Sequence, residues 1–257
     1  MKTVVFSFDD ARLDTYTNAF SLMSRYKLPF TINVVTDFVL NPERYTNFKS
    51  GNNKSMTEEQ LMECFEKGIE IACHGHTHQN TREDVLKNIA ELKRMKILDL
   101  PCGFASPNSY LTESNGGDIQ SLVSEGKLLY TRSGVQIRRE GFLYAVLSCL
   151  ERCTHSPRLF YFLNKRNIIV DSKNTFLKSV AITRHTTVKQ ILYFVNRMND
   201  YTGVIFMFHS VLKPEEAGYG ADDWYFDEDR FQQLLDALTK DENVTFSTTK
   251  AFLSKGE

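Results

Sequence analysis

Short apolar runs and amphipathic stretches alternate along most of this chain. Thr3-Val4-Val5-Phe6-Ser7-Phe8 has strand length and strand composition. Over 13–26 the apolar positions recur at three- and four-residue spacing, which predicts a helix. A second strand is expected at 29–35, and the polar, turn-rich stretch 41–54 reads as a loop. Ser55-Met56-Thr57-Glu58-Glu59 has the capping residues and early acids of a helix start, and Lys67-Gly68 has the basic last turn and glycine of a stop. A strand at 69–73, a helix at 82–97, a short strand at 103–106, a helix at 116–125 and a strand at 128–131 follow. Strands alternating with helices of this length imply parallel pairing through crossover connections.

The rhythm breaks between 137 and about 175. Residues 141–166 are rich in aromatic and basic side chains, including Phe160-Tyr161-Phe162 and Lys165-Arg166. An excursion packed against the side of the fold is expected here; a lid or a partner surface is its functional reading, and it is the candidate interface of any oligomer. Alternation resumes with a strand at 176–182, a helix at 187–199, a strand at 204–208, a helix at 227–238 and a strand at 244–246. No repeat, low-complexity tract or interdomain linker interrupts the chain, so residues 1–257 are expected to form one domain.

Three of the strands run directly into acidic or imidazole residues. The first leads into Asp9-Asp10, the run Ile69-Glu70-Ile71-Ala72-Cys73 into His74, and Val204-Ile205-Phe206-Met207-Phe208 into His209. Parallel α/β folds place their chemistry at the ends of strands, so one shared site is implied. His74 and His78 are four residues apart, a spacing that brings two imidazoles onto one helical face or together in a tight turn. With one carboxylate they form a ligand set of hydrolytic zinc, which needs three protein ligands and an open position. His76, between them, is expected to point elsewhere, outward. Successive residues point different ways, so one of Asp9 and Asp10 can bind metal while the other faces the reacting water. His209 is either a hydrogen-bonded structural residue or a general acid, since imidazole titrates near neutrality.

Composition narrows the setting. Apolar residues make up 42% and charged residues 25% of 257, which is globular. The formal charge of −1 offers no electrostatic case for nucleic acid or an anionic membrane surface. No apolar stretch reaches membrane-spanning length, and Met1-Lys2 leads straight into the first strand without a secretory h-region. Five cysteines without framework spacing suit reduced, mostly buried thiols, and so a cytoplasmic location.

In order along the chain, Ser7-Phe8-Asp9-Asp10, His74-x-x-x-His78, Phe104-Ala105-Ser106-Pro107-Asn108 and Phe206-Met207-Phe208-His209 resemble motifs of the polysaccharide deacetylases. These are the NodB-homology proteins of carbohydrate esterase family 4, and the resemblance spans roughly residues 3–250. It implies a distorted, TIM-like (β/α)7 barrel and metal-dependent removal of acetyl groups from N-acetylated sugars. By position, Asp9 corresponds to the general base and His209 to the general acid. Asp10, His74 and His78 correspond to the ligands of a divalent ion, zinc first, with cobalt, nickel or iron as neighbours. A backbone N–H near Pro107, Asn108 and Ser109 would help hold the oxyanion.

The chain also departs from that pattern. The third motif of the family opens with an Arg that orients the base, and Phe104-Ala105-Ser106-Pro107 has none. Arg132 is a replacement from another strand end, or else a surface residue. Ala11 stands where Gly is common. Asp223-Trp224 follows His209 instead of preceding it; Trp224, the only Trp, either stacks on a sugar or simply packs. Other expectations remain open beside sugar deacetylation: hydrolysis of a sugar formamide or a non-sugar amide on the same barrel, and a homologue that binds metal or sugar without turnover.

Overall fold

The structure, a computed structural model, describes residues 1–44, 54–112, 116–134, 141–216 and 218–254. Seven parallel strands close into a barrel: β1 (Lys2–Asp9), β2 (Thr31–Val34), β3 (Glu70–Cys73), β4 (Cys102–Ala105), β5 (Leu128–Gly134), β6 (Phe176–Ala181) and β7 (Gly203–Phe208). Each pairs with the next, and β7 pairs back onto β1 from Thr3↔Gly203 to Phe8↔Phe208, which makes the closure. This is the expected TIM-like (β/α)7 barrel in one domain. Two short parallel strands, β8 (Ser210–Leu212) and β9 (Tyr225–Asp227), form a ribbon beyond β7, and β10 (Val244–Phe246) lies along the first half of β1. The sequence pattern did not anticipate the ribbon.

Helices cover the outside. A π-helical turn, Thr15–Phe20, leads into α1 (Ser21–Arg25), and α2 (Thr36–Leu40) follows β2. Helix α3 (Glu58–Glu66) starts at a capping box between Thr57 and Gln60, which satisfies two end amides at once. Gly68 stops it with φ +80°, where a side chain would strain. The expected loop at 41–54 falls largely outside the described residues. Then come α4 (Arg82–Arg94) and α5 (Gly117–Ser124), and later α8 (Val188–Arg197), α9 (Glu228–Thr239) and α10 (Thr249–Ser254).

Strand alternation sorts the side chains. Phe6, Phe8 and Phe208 turn outward and pack edge-on against Phe231 of α9. Val5 and Ile205 turn inward and meet Tyr130, Leu177 and Phe252 of α10, which fill the lower barrel. The same inward row continues upward through Ser7 to Asp9.

Where the rhythm breaks in the sequence lie α6 (Phe142–Thr154) and α7 (Pro157–Asn164). Helix α7 packs against the barrel helices, with Phe160 edge-on to Phe194 of α8. The excursion is therefore packed as expected, and it also walls the central cavity.

Candidate active site

All seven strands point the same way, so Asp9, His74, Ser106, Arg132, Ser179 and His209 meet at one end of the barrel. They line a cavity of about 920 Å³ together with loop residues and the inward side of α6 and α7, except that Arg132 lies just beneath its floor. Asp10 follows the end of β1 with φ +75°, and Ala11 continues at +50°. That left-handed corner turns the Asp10 carboxylate back over the barrel mouth beside Asp9.

The three expected ligands converge. The offered atoms of Asp10, His74 and His78 all lie within 4.8 Å of one another. Asp10 Oδ1 is 3.5 Å from His74 Nε2 and 3.6 Å from His78 Nε2. His74 Nδ1 lies 2.8 Å from the Ala105 carbonyl. A carbonyl only accepts, so the proton sits on Nδ1 and the Nε2 lone pair faces the cluster, as a ligating histidine requires. The second oxygen of Asp10 accepts from Arg12 Nε at 3.1 Å and Nη2 at 3.0 Å, while Arg12 Nη1 reaches Ser210 Oγ at 3.2 Å. The donor set therefore fits a small divalent cation of the kind that two imidazoles and one carboxylate hold.

Asp9 is buried beside this cluster. One nitrogen of Arg132, Nη2, donates to both of its oxygens, at 2.6 Å and 2.8 Å, and Nη1 donates to Ser179 Oγ at 3.0 Å. Asn33 Nδ2 donates to Asp9 Oδ1 at 2.8 Å and to Ser7 Oγ at 2.7 Å. Arg132 is thus buried inside the barrel on Asp9 and not a surface residue. The strand expected to end at Thr131 runs on to Gly134 and carries it there.

Burial disfavours charge on every one of these groups. At Asp9 the charges of Arg132, His74 and His209 outweigh it and hold the carboxyl below its usual range. At Asp10 burial is overcome more strongly, chiefly by Arg12. His74 is raised, because Asp9 and Asp10 prevail over burial. Burial and the neighbouring His74 lower His78 to about 4, and burial, with Arg12 acting against Asp10, lowers His209 to about 4.

His209 is half-buried beside Trp224, with ring centroids 4.7 Å apart, so the displaced Trp does reach the cavity. His209 Nδ1 is buried without a hydrogen-bond partner among the described residues. His76 turns away from the cluster as expected, but inward and not outward: it is buried, with Nδ1 2.9 Å from Thr36 Oγ1. Asn108 and Ser109 line the cavity, both in left-handed backbone at φ +54° and +49°. The Ser109 N–H is committed to the Ser106 carbonyl at 3.1 Å, and Pro107 has no N–H to offer. Neither is an oxyanion donor in this geometry. Arg12, Asn33 and Ser179 escaped the sequence reading; strand alternation, counted back from Asp9, marks Ser7 as inward, and Asn33 is aligned with Asp9 in the register of β2.

Residues 1–96 match the family model described as "Polysaccharide deacetylase". No curated protein matches the sequence. Among solved structures, the Xyl-CE4 domain of a multidomain xylanase from the hindgut metagenome of Trinervitermes trinervoides is 14% identical, with a TM-score of 0.51 over 99% of this chain and 90% of that one. A family 4 acetyl xylan esterase from Clostridium thermocellum, in complex with a cobalt ion, is 14% identical with a TM-score of 0.52 over 98% and 91%. A mutant of a CE4 family pseudoenzyme is 9% identical with a TM-score of 0.54 over 98% and 67%. At these identities the likeness establishes the fold.

Proposed function

We propose that this chain, whose residues 1–96 match the polysaccharide deacetylase family model, is a metal-dependent hydrolase that removes N-acetyl groups from an amino sugar or polysaccharide. The observation that carries the reading is the convergence of Asp10, His74 and His78 beside a second buried carboxylate, Asp9, that Arg132 holds. A divalent ion held by Asp10, His74 and His78, zinc first among the candidates, would supply Lewis-acid polarisation of the amide carbonyl and a more acidic water. Asp9 is the base. With its carboxyl held ionised, it accepts a proton from the attacking water. Arg132 and Asn33 fix its orientation, the part that an Arg of the third motif has in the family. His209 lies across the mouth, next to Trp224, and, once it has taken up a proton, passes it to the departing amine. Trp224, with 43% of its surface exposed, offers an aromatic face to a sugar ring.

A second reading, a barrel that holds metal and sugar without turnover, rests on one observation. His209 has no partner at Nδ1 and a depressed pKa, so it is neutral near pH 7 and must gain a proton before it can give one. The missing Arg of the third motif no longer favours that reading, since Arg132 sits where such a residue is needed.

Acetate release from chitooligosaccharides and simple N-acetyl sugars, with and without added Zn²⁺ or Co²⁺, tests the proposal. Asp9→Asn should abolish turnover and keep metal binding, which raises the melting temperature; His74→Ala should lose that thermal shift. Full activity in Asp9→Asn would refute the role of Asp9. A metal-loaded protein that releases no acetate from any of these substrates would favour a formamide, another amide, or the non-catalytic reading.

A further inference from the structure

Helix α6 is built inside out. Ser148, Glu151 and Arg152, spaced to share one helical face, line the polar cavity. The opposite face carries Phe142, Leu143, Val146 and Leu150, exposed at 86%, 65%, 38% and 47%. No residue of this 13-residue helix is buried. A surface helix ordinarily turns its apolar stripe to the core; this one turns it away, into solvent, although neighbouring α8 buries Ile191, Phe194 and Val195 in the usual way. Isolated exposed apolar residues need no explanation, but a contiguous stripe on one face does.

The charges around the stripe indicate what covers it. The formal charge of the whole chain is −1, yet residues 141–167 contain Arg152, Arg158, Lys165 and Arg166 against the single acid Glu151. Glu151 and Arg152 both face inward, where Glu151 accepts from Gln190 Nε2 and Arg152 lies 3.8 Å from Asp223, which leaves the exposed Arg158, Lys165 and Arg166 as the cations outside the cavity. Lys165 lies over the ring of Phe162, with Nζ 5.3 Å from the centroid, and Arg166 lies 4.9 Å over Tyr144 while bonding its hydroxyl. Tyr144 and Phe162 stack across the seam between α6 and α7. An exposed apolar stripe with a cationic border is the pattern of a helix lying in the headgroup layer of an anionic bilayer. A second copy fits this surface less well, because a two-fold contact would set the same cations against one another.

We propose that the outer face of α6, with Lys165 and Arg166 at its seam with α7 and the exposed Arg158 of α7, docks on an anionic lipid surface. The apolar side chains enter the headgroup boundary and the basic residues meet lipid phosphates. Because the inner face of the same helix walls the cavity, docking holds the catalytic end of the barrel at the bilayer. The proposal is independent of the hydrolase reading, and its test needs no turnover.

Flotation of the full chain with phosphatidylcholine vesicles, with and without phosphatidylglycerol, decides it. Binding is expected only to the anionic vesicles and should weaken with salt. Arg158→Glu and Lys165→Glu should each lower the partition coefficient by about fivefold or more. Leu143→Glu and Leu150→Glu, which alter solvent-exposed positions, should lower it further while far-UV circular dichroism stays unchanged. Absence of binding to anionic vesicles, or equal binding to neutral ones, overturns the proposal. So does a concentration-dependent dimer in lipid-free solution that Leu150→Glu dissolves.

Discussion

Arg132→Met tests the buried pairing of Arg132 with Asp9. The substitution keeps most of the side-chain volume and removes the charge. Asp9, buried in the barrel, would lose the cation at 2.6 Å and keep the Asn33 amide at 2.8 Å, with His74 Nε2 3.9 Å away. Removing one partner of a buried pair typically costs about 3–5 kcal/mol, since the remaining charge is left without compensation. Asp9→Asn should cost a similar amount for the mirror reason: the buried guanidinium then faces a neutral amide where it had a carboxylate, with Ser179 as its other partner. The double variant buries neither charge, so its loss should fall well below the sum of the two, with a coupling energy of roughly 3 kcal/mol. Urea unfolding of the metal-free proteins, followed by far-UV circular dichroism, measures all four corners of the cycle. Losses that add to within about 0.5 kcal/mol would show that Asp9 and Arg132 do not act as a pair. If Asp9 is the base, Arg132→Met should also lower kcat about 100-fold, the lower end of what a positioned base contributes.

Two further outcomes follow from the packing. Asp14 is buried with its carboxyl pushed up to about 7 by desolvation, although Val211 N–H bonds it at 2.9 Å. The folded state therefore holds an extra proton between about pH 4 and 7, and this contribution to stability is lost as pH rises through 7; His78 and His209 act in the opposite sense below pH 6.5, so the comparison must be with Asp14→Asn. Relative to that variant, wild type should lose more than about 1 kcal/mol between pH 5 and 8 in urea titrations, and parallel pH curves would contradict the assignment. Gly103 lies under the Tyr130 ring, and an added Cβ would stand 2.0 Å from Tyr130 Cζ. Gly103→Ala should therefore cost about 1–3 kcal/mol in thermal unfolding, whereas Gly117→Ala, which opens onto empty space, should be neutral or stabilising.

The barrel was legible because local signals agreed with the global fold. The runs at 3–8, 69–73 and 204–208 are strands buried on both faces and so read as continuous apolar segments. Thr57 with Gln60 and Gly68 supply a start and a stop that need no tertiary context. What escaped notice had no such signal. The ribbon of β8 and β9 pairs Ser210–Leu212 with residues fifteen positions downstream, through segments of only three residues each. Runs that short carry no periodicity. Helix α2, five residues long, was absorbed into the expected strand-to-loop transition for the same reason.

The candidate site was legible wherever a residue ends or follows an apolar run, and obscure wherever it lies inside a strand. Asp9, Asp10, His74 and His209 announce themselves by interrupting apolar runs. Arg132 and Asn33 occupy inward positions of strands, where a polar residue in one sequence cannot be told from the solvent-facing half of an alternating pattern. A closed parallel barrel has no solvent-facing half: its outer face is under helices and its inner face is the core. Once seven strands are counted, a charged residue at an inward position of one must therefore meet another polar group inside the barrel. Among the described residues Arg132 meets Asp9 and Ser179 there, and one step down the strand the Tyr130 ring lies against Gly103. The pairing of Arg132 with Asp9 is thus a consequence of barrel closure: a buried carboxylate on one strand is met by a cation from another.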